Sequence, residues 1–325
     1  MKALEKQIFE IRNETDFASV ALQIFKYQYR YNQIYHNFVN ALGIYPRDVT
    51  SIADIPCMPV EFFKTHEVKT GDFYPGIVFH SSGTGAGHIS KHVIKDESLY
   101  RKSLLQAFSY FYGNPADYAV HALLPSYIER GNASLVYMAK SLMEQNPDFT
   151  GDFFLGHSKA LKQSISKAVN LGLQPLLIGV SFALLDLAEI PDFDLKNTIV
   201  LETGGMKGRR KEIIRDELHN IIREALHPKE IHSEYGMTEL LSQAYKTNSD
   251  VFKTPPWMKV LIRDIHDPRQ YLSHNQQGLI NVIDLANIHS CAFLETKDLG
   301  KSTKEGFVVS GRLDFSDIRG CNLLL

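Results

Sequence analysis

The sequence has little cysteine, no long uninterrupted apolar segment and almost no net charge, and each of these absences excludes a class of protein. Three cysteines, Cys57, Cys291 and Cys321, are an odd number at wide spacing, which argues against a disulfide framework and a zinc ligand set. The formal net charge of -2 over 325 residues gives no field that would draw the chain onto nucleic acid or an anionic membrane. Any anion site must therefore be local.

Targeting and membrane-spanning segments are not expected either. The N-terminal "MKALEKQIFEIRNETDF" carries charges throughout, unlike a signal or transit peptide. The most apolar stretch, "LQPLLIGVSFALLDLAEI", contains Pro175, Asp186 and Glu189, so we expect no membrane span and a cytoplasmic protein. The 13 histidines show neither HExxH nor another paired spacing, so no histidine metal site is predicted.

Apolar periodicity predicts an α/β protein. Residues 1–50 are predicted to be helical because Tyr27, Tyr31 and Ile34 recur at helical intervals, although the alternation of Tyr27, Tyr29 and Tyr31 leaves a strand as the alternative. After Tyr74, short apolar runs alternate with helical stretches, which indicates helices that cover sheets. The predicted strands are "GIVFH", "YAVHALL", "LQPLLIGV", "NTIVLE", "KVLIR", "GLINVIDL" and "GFVVSG". The predicted helices are "SLYRKSLLQAFSYF", "SKALKQSISKAVNLG" and "GRRKEIIRDELHNIIREAL".

The last of these helices is amphipathic. Ile214, Leu218, Ile221 and Ala225 are predicted to form its buried face, and its charged residues a solvated face. No repeat, low-complexity tract or Pro/Ser-rich linker marks a domain boundary.

A glycine- and serine-rich segment, "HSSGTGAGHISK", directly follows the apolar run "YPGIVF". Glycine allows backbone conformations in which successive N–H groups converge on an anion, and Ser81, Ser82 and Thr84 add hydroxyl donors. The segment lacks the GK[ST] ending of the Walker loop, and the chain has no GxGxxG, so neither a P-loop nor a Rossmann site is indicated. The pattern predicts a phosphate cradle, with an ordinary hairpin or surface loop as the alternative.

A second segment, "HSEYGMTELLSQAY", places Tyr235, Gly236, Thr238 and Glu239 where a loop is predicted to enter a helix. Glu239 has the carboxylate that Mg²⁺ prefers, Thr238 a hydroxyl for a phosphate oxygen, and Tyr235 a ring that can stack on a base. Thr238 and Glu239 are also ordinary first-turn helix residues, which is the structural alternative. "LETGGMKGRR" supplies another glycine turn after a strand, and "ETKDLG" places Asp298 before a predicted glycine turn.

In this order, "HSSGTGAGHISK", "ETGGMKG", "SEYGMTE", "TKDLG" and "GRLDFSDIRG" resemble the successive core motifs of the ANL adenylate-forming superfamily, which includes acyl-CoA synthetases, phenylacetate-CoA ligases and luciferases. Within it, "MPVEFFK", "LLPSYIERGNASLVYM" and "DIRGCNLL" resemble the LuxE-type acyl-protein synthetases of bacterial bioluminescence, which activate fatty acids in a reductase complex. The resemblance implies an α/β adenylating core of helix-covered sheets with a small β-rich subdomain and without the mobile C-terminal domain. We expect this core over 1–310, with a helical segment 1–50 and a short tail 311–325.

The resemblance implies that a carboxylate attacks the α-phosphorus of ATP, releasing pyrophosphate and forming acyl-AMP. Both reactants are anions, which the protein must neutralise and align. The residues that it implies for ATP and Mg²⁺ are Ser81, Ser82, Gly83, Thr84 and Gly85 around the triphosphate, Lys91 for charge, Gly204 and Gly205 at the adenine slot, Tyr235 stacked on the ring beside Gly236, Thr238 at the α-phosphate, Glu239 on Mg²⁺, and Asp298 on the ribose with Arg312 nearby.

The carboxylic acid is implied to bind along "LLPSYIERGNASL", with Tyr127, Asn132, Ser134 and Leu135 as wall or floor residues. His80, just before the phosphate cradle, is a further candidate substrate contact. Apolar walls would favour an aliphatic or aryl acid.

Most members of the superfamily supply a catalytic lysine from the mobile C-terminal domain, and we expect no counterpart of this lysine here. Lys207, Arg209 or Arg210 of "GMKGRR" is a candidate substitute. Slower catalysis, or a charge from a partner subunit, is the alternative.

Cys321 is the candidate acyl acceptor. In the resembling family a cysteine at this position takes the acyl group as a thioester and passes it to a reductase, and Arg319 nearby favours the thiolate. A buried structural cysteine is the alternative, and Cys57 and Cys291, in apolar settings, are expected to be inert. The rival functions are a phenylacetate-type ligase with CoA as acceptor and a non-catalytic nucleotide-binding subunit.

Overall fold

The computed structural model describes residues 2–81, 89–124, 132–204 and 213–313. The chain divides into two compact units. We call Tyr74–Phe252 the central unit, and Met1–Phe73 together with Lys253–Leu325 the discontinuous unit. Within the described ranges, no helix combines the length and the apolar character needed to cross a membrane.

Strands and helices alternate along most of the described chain. The strands are β1 (Met58–Pro59), β2 (Ile77–His80), β3 (Lys91–Ile94), β4 (Tyr118–Leu123), β5 (Asp152–Phe153), β6 (Gln174–Gly179), β7 (Ile199–Glu202), β8 (Glu230–Tyr235), β9 (Ala244–Lys246), β10 (Met258–Arg263), β11 (Gly278–Asp284), β12 (Phe293–Ser302) and β13 (Phe307–Arg312). The α-helices are α1 (Lys2–Ile8), α2 (Glu14–Tyr31), α3 (Gln33–Ala41), α4 (Phe62–Thr65), α5 (Glu97–Tyr112), α6 (Ser134–Met143), α7 (Ser158–Asn170), α8 (Ser181–Ala188) and α9 (Arg215–Leu226). Short 3₁₀ helices cover Pro46–Asp48, Ile52–Asp54, Pro115–Asp117 and Leu285–Asn287.

The predicted strands and the first two predicted helices are confirmed by these elements, with boundaries shifted by a few residues. Of the third predicted helix, α9 covers Arg215–Leu226, and residues 208–212 lie outside the described residues. The strand alternative for Tyr27–Tyr31 is wrong, because these residues form the end of α2. Asn13 begins that helix by accepting a hydrogen bond from the Asp16 amide, the usual way in which a polar side chain caps a free N-terminal N–H.

In the central unit, one sheet has the strand order β5-β4-β6-β7-β8-β9. Strands β5, β4, β6, β7 and β8 are parallel, and β9 pairs antiparallel with β8. The middle strands are almost entirely buried, which explains why their sequences are continuous apolar runs rather than alternating patterns. Because the carboxyl ends of parallel strands meet at one edge, the segments after β4, β7 and β8 emerge on the same side of the sheet, where ligands of such sheets bind.

The discontinuous unit contains a second sheet, with the order β1-β12-β11-β10 and β13 paired to β12. The buried Gln28 of α2 ties this sheet to the helices. Its amide nitrogen donates to the carbonyl oxygens of Asn287 and Ile288, and its oxygen accepts from the Ala292 amide at 2.9 Å. Because both the nitrogen and the oxygen of this buried amide are hydrogen-bonded, Gln28 fixes α2 against the segment before β12.

Three local predictions need correction. The buried face of α9 is formed by Leu218, His219, Ile222 and Leu226, whereas Ile214 and Ile221 are exposed by 71% and 37%. The helix starts at Arg215, and its apolar stripe continues from Leu218 through Ile222 and Leu226, instead of through Ile221 and Ala225 one residue earlier.

The second correction concerns the segment after β8, which does not enter a helix. Residues 236–243 form an irregular connection to β9, so Thr238 and Glu239 are loop residues. The third concerns Gly300, which lies inside β12 rather than in a turn. A Cβ at Gly300 would lie 2.3 Å from the Val308 carbonyl oxygen, so glycine is needed there for the close approach of β13.

Candidate active site

The ends of the β2–β3 hairpin carry Ser81 and Lys91. His80 pairs with Lys91 across the hairpin, and the Ser81 amide donates to the Ser90 carbonyl at 3.1 Å. The Ser90 amide in turn donates to the Ser81 hydroxyl oxygen at 3.0 Å. These bonds fix both ends of the glycine-rich segment, and Lys91 is exposed beside it.

His92, which follows Lys91 on β3, links this hairpin to the loop after β8. Its side chain is completely buried, and its Nδ1 lies 2.7 Å from the carbonyl oxygen of Thr238. The contact joins residues 146 positions apart in the sequence. Strand β3, which follows the glycine-rich segment in sequence, and the loop that contains Thr238 therefore lie next to each other in the central unit.

The glycine turn after β7 is held by the strand's last residue. Gly204 has a φ of +69°, a conformation that favours glycine. Its N–H donates to Oε1 of Glu202 at 2.6 Å, and the same oxygen accepts from the Ser181 hydroxyl of α8 at 2.8 Å. Glu202 is 1% exposed, so this carboxylate is a fixed anchor of the turn rather than a solvated side chain.

Arg215 and His219 of α9 face the other oxygen of Glu202, at 3.4 Å and 3.9 Å. Burial alone would raise the pKa of Glu202, but the nearby His219 imidazole, the charge of Arg215 and the hydrogen bond from Ser181 outweigh it and lower the pKa to about 2. The carboxylate is thus ionised at any physiological pH.

The Arg215 guanidinium also stacks on the Phe252 ring, 5.0 Å from its centroid. Phe252 in turn makes an edge contact with Tyr235, at a centroid distance of 6.0 Å. Tyr235 is 8% exposed. The Gly204 turn and the Tyr235 ring, both assigned to the adenine slot, are therefore connected through Glu202, Arg215 and Phe252.

Gly236 follows Tyr235 at a position that excludes a side chain. A Cβ at Gly236 would lie 2.2 Å from Oε1 of Glu234. Glu234 is buried, and its burial together with the negative charge of Glu202 raises its pKa to about 8, so it is predominantly protonated at neutral pH. A neutral carboxyl group can remain in the interior at much lower cost than a carboxylate.

Thr238 is half-buried and Glu239 is 7% exposed. Across residues 2–81, 89–124, 132–204 and 213–313, no three His, Cys, Asp or Glu side chains gather as a metal cage would require. A single carboxylate such as Glu239 nevertheless fits Mg²⁺ chemistry, because this ion is usually held by one or two carboxylates together with substrate phosphates.

Asp298 and Arg312 lie in the discontinuous unit. They are paired across β12 and β13, and their side chains are 4.0 Å apart. Asp298 is half-buried and the Arg312 side chain is 68% exposed. An ionised carboxylate in this setting offers lone pairs to two hydroxyl groups.

The segment assigned to the acid adjoins the hairpin. The His80 amide donates to the Asn132 carbonyl at 2.8 Å, and Ser134 begins α6. Asn132 is exposed, whereas His80, Ser134 and Leu135 are half-buried.

Several predicted site residues lie outside the described residues. They are Ser82, Gly83, Thr84, Gly85, Tyr127, Gly205, Lys207, Arg209, Arg210 and Cys321. The other two cysteines are buried, and burial raises the pKa of Cys57 to about 12 and that of Cys291 further, so both thiols are unreactive as nucleophiles.

Sequence reasoning missed Glu202, Glu234, Arg215 and His92. An acidic residue at the end of the apolar run "NTIVLE", directly before glycines, was an available signal for Glu202. His92 has no such signal, because a histidine within a short strand can serve many purposes.

Comparison with known proteins adds structural relatives. No protein-family model matches the sequence, and no curated protein matches it. Among solved structures, ATP-bound MatB from Rhodopseudomonas palustris matches with a TM-score of 0.54 and 17% identity over 72% of this chain and 47% of its own. An open 2-hydroxyisobutyryl-CoA ligase in complex with 2-HIB-AMP and CoA matches with a TM-score of 0.67 and 13% identity, over 94% of this chain and 71% of its own.

A luciferase-like enzyme from the nonluminescent Zophobas morio mealworm also matches, with a TM-score of 0.52 and 17% identity over 80% of this chain and 62% of its own. The chain thus spans about half the length of MatB and most of the length of the hydroxyisobutyryl-CoA ligase. At these identities the likeness concerns the fold. The α/β architecture of this chain is the fold of the ANL adenylate-forming enzymes.

Proposed function

We propose that this chain is a cytoplasmic adenylate-forming ligase that activates a fatty or aryl carboxylic acid with ATP and Mg²⁺ and transfers the acyl group to a thiol, that of Cys321. In the first step a carboxylate oxygen bonds to the α-phosphorus and pyrophosphate leaves. In the second the thiolate attacks the acyl carbon and AMP leaves, which forms a thioester. A reductase or another acyl-acceptor protein would receive the acyl group.

The observation that carries the first step is the bond between His92 and the Thr238 carbonyl. It joins the base of a glycine- and serine-rich segment to a hydroxyl-bearing loop at the ligand-binding edge of a parallel sheet. The chain's own groups would act on the anions by position and charge: Lys91 beside the segment, Thr238 at the α-phosphate, Tyr235 and Gly204 at the base. Mg²⁺, held by Glu239 and the phosphates, would neutralise charge on the leaving pyrophosphate.

Support for the reaction class also comes from the structural relatives. One is described with ATP bound and another with an acyl-AMP and CoA. The same complex favours a second candidate, a ligase in which CoA takes the acyl group instead of Cys321.

Two measurements test the proposal. Exchange of labelled pyrophosphate into ATP with a panel of aliphatic and aryl acids should be acid-dependent, because acyl-AMP formation is reversible. A non-catalytic nucleotide-binding subunit would show no exchange with any acid.

The acceptor is tested with Cys321→Ser. After incubation with ATP and the active acid, mass spectrometry should find an acyl mass on the C-terminal peptide of the unaltered chain and none on the variant, which should still exchange pyrophosphate. Cys57→Ser is the matched control and should retain the label, because that thiol is buried. If the protein stays unlabelled and both variants form acyl-CoA once CoA is added to the incubation, CoA is the acceptor.

A further inference from the structure

The buried His92 has a defined hydrogen-bonding state. A carbonyl oxygen can only accept a hydrogen bond, so Nδ1, 2.7 Å from the Thr238 oxygen, carries a proton. His92 also pairs with Phe79 in the β2–β3 hairpin, which fixes the backbone from which the imidazole projects. A short bond from a fully buried side chain is a strong restraint, since its loss would leave the donor without water as a substitute.

The restrained segment has little regular structure of its own. Residues 236–243 connect β8 to β9 as an irregular loop, and within it the Leu240 amide donates to the Met237 carbonyl at 3.1 Å. Further along, the Ser242 hydroxyl contacts the Ser103 hydroxyl of α5 at 3.0 Å. The His92 contact is made at Thr238 itself, so it acts directly on the residue that carries the assigned hydroxyl.

We propose that His92 is a positioning residue. It holds Thr238 at a fixed position relative to strand β3, so that the Thr238 hydroxyl meets the α-phosphate of ATP. This inference rests on the proposed function. The bond uses the main-chain carbonyl of Thr238, whereas the phosphate contact would use its side chain, so the two can be removed separately. Misplacing a group by about 1 Å can lower a rate roughly 100-fold.

The test compares His92→Phe, His92→Asn, Thr238→Ala and the double variant His92→Phe/Thr238→Ala in pyrophosphate exchange. His92→Phe keeps the ring shape but not the donor and should lower the turnover number about 10- to 100-fold, with a smaller change in KM for ATP. Asn places an N–H near the position of Nδ1 and should restore most of the activity. The double variant should be no slower than Thr238→Ala, because His92 acts through that hydroxyl.

Losses that multiply in the double variant, or an Asn variant as slow as the Phe variant, would overturn the inference. His232→Asn is the matched control, a buried histidine on β8 bonded to Tyr112 and Glu230, and its turnover should stay near that of the unaltered chain. If His92→Phe does not fold, His92→Gln replaces it. The glutamine amide nitrogen reaches the position of Nε2 rather than Nδ1, so this variant also lacks the hydrogen bond to the Thr238 carbonyl.

Hydrogen exchange separates this inference from the proposed function. The peptide covering 236–243 should exchange faster in His92→Phe than in the unaltered chain or His92→Asn, whether or not any acid supports pyrophosphate exchange. Equal rates in all three proteins would show that His92 does not position the loop. Absence of pyrophosphate exchange in the unaltered chain would instead contradict the proposed function and, with it, the contact with the α-phosphate, while hydrogen exchange would still report whether His92 positions the loop.

Discussion

Glu234 and Gly236 are two residues apart, and each explains the other. The carboxyl oxygen of Glu234 occupies the space that a side chain at Gly236 would need, at 2.2 Å from an ideal Cβ. Burial and the neighbouring Glu202 charge keep Glu234 predominantly protonated at neutral pH. At Gly236 the chain therefore passes directly against a neutral, buried carboxyl group.

We predict that Glu234→Gln changes the pH dependence of stability. The pKa of Glu234 is raised from 4.5 to about 8 on folding, so folding takes up a proton and stability falls as pH rises through this window. Glutamine cannot ionise, so the variant does not lose this stability. As pH rises, the free energy of unfolding of the variant relative to that of the unaltered chain should increase by up to about 1.4 kcal/mol per pH unit. Urea denaturation at pH 5.5, 6.5 and 7.5 measures the difference.

The exposed Glu224→Gln is the control and should shift stability equally at the three pH values. Glu202 does not confuse the result. Its pKa is lowered on folding, so its contribution is complete above pH 4.5 and is lost only as pH falls towards 2. Parallel stability curves for Glu234→Gln and the unaltered chain would contradict the prediction.

At the residue scale, the residues of the motifs could be predicted from the sequence, but the residues that hold them in place could not. Tyr235, Gly236 and Thr238 are marked by a glycine next to an aromatic and a hydroxyl residue. Glu202 and His92 act through contacts with residues near and far in sequence, and one histidine or glutamate in a strand does not indicate its partner. The long-range contact of His92 depends on the packing of the hairpin against the sheet.

At the scale of elements, α9 connects two parts of the candidate site. Its first residue, Arg215, contacts Glu202 behind the Gly204 turn and stacks on Phe252, which touches Tyr235. His219, one turn later, faces the same carboxylate. The N-terminal half of this helix thus contacts both the anchor of the turn and the ring that packs on Tyr235.

We predict that Arg215→Met lowers stability by about 1–3 kcal/mol, because it leaves the buried Glu202 carboxylate without its cation, although partial exposure of Arg215 moderates the loss. The KM for ATP in pyrophosphate exchange should also rise, since Glu202, the anchor of the Gly204 turn, is then held less rigidly. Arg223→Met on the same helix is the control, because Arg223 is exposed and its guanidinium donates to Asn220 of the same helix rather than to Glu202. Equal effects of the two substitutions would contradict this role.

Element types were predictable from apolar periodicity, but some connections were not. The segment after β8 has residues suited to a helical first turn, yet it forms a loop because β9 follows closely and pairs with β8 from Ser233 to Tyr235. The apolar stripe of α9 was predicted one residue too early over its second half. Ile214 precedes the helix and is exposed, so counting helical intervals from it selected Ile221 and Ala225 instead of the buried Ile222 and Leu226.

At the scale of the whole molecule, the candidate residues are divided between the two units. Ser81, Gly204, Tyr235 and Thr238 belong to the central unit, and Asp298 belongs to the discontinuous unit. The order of the motifs along the chain predicted the α/β fold, because most of them begin at the end of a strand, although "TKDLG" lies within β12. The resemblance of "TKDLG" predicts that Asp298 binds the ribose, and hydrogen exchange measured peptide by peptide tests this contact.

We predict that ATP with Mg²⁺ slows amide hydrogen exchange in three separate peptides, covering 199–204, 230–243 and 293–302. A ligand that binds the folded state lowers the population of open states by RT ln(1 + [L]/Kd), about 2.7 kcal/mol at 100 Kd, and amides at the contact report this directly. Peptides from α2 (Glu14–Tyr31) serve as an internal control and should show less change. Protection of 230–243 without protection of 293–302 would remove Asp298 from the nucleotide site, whereas protection of neither would contradict ATP binding itself.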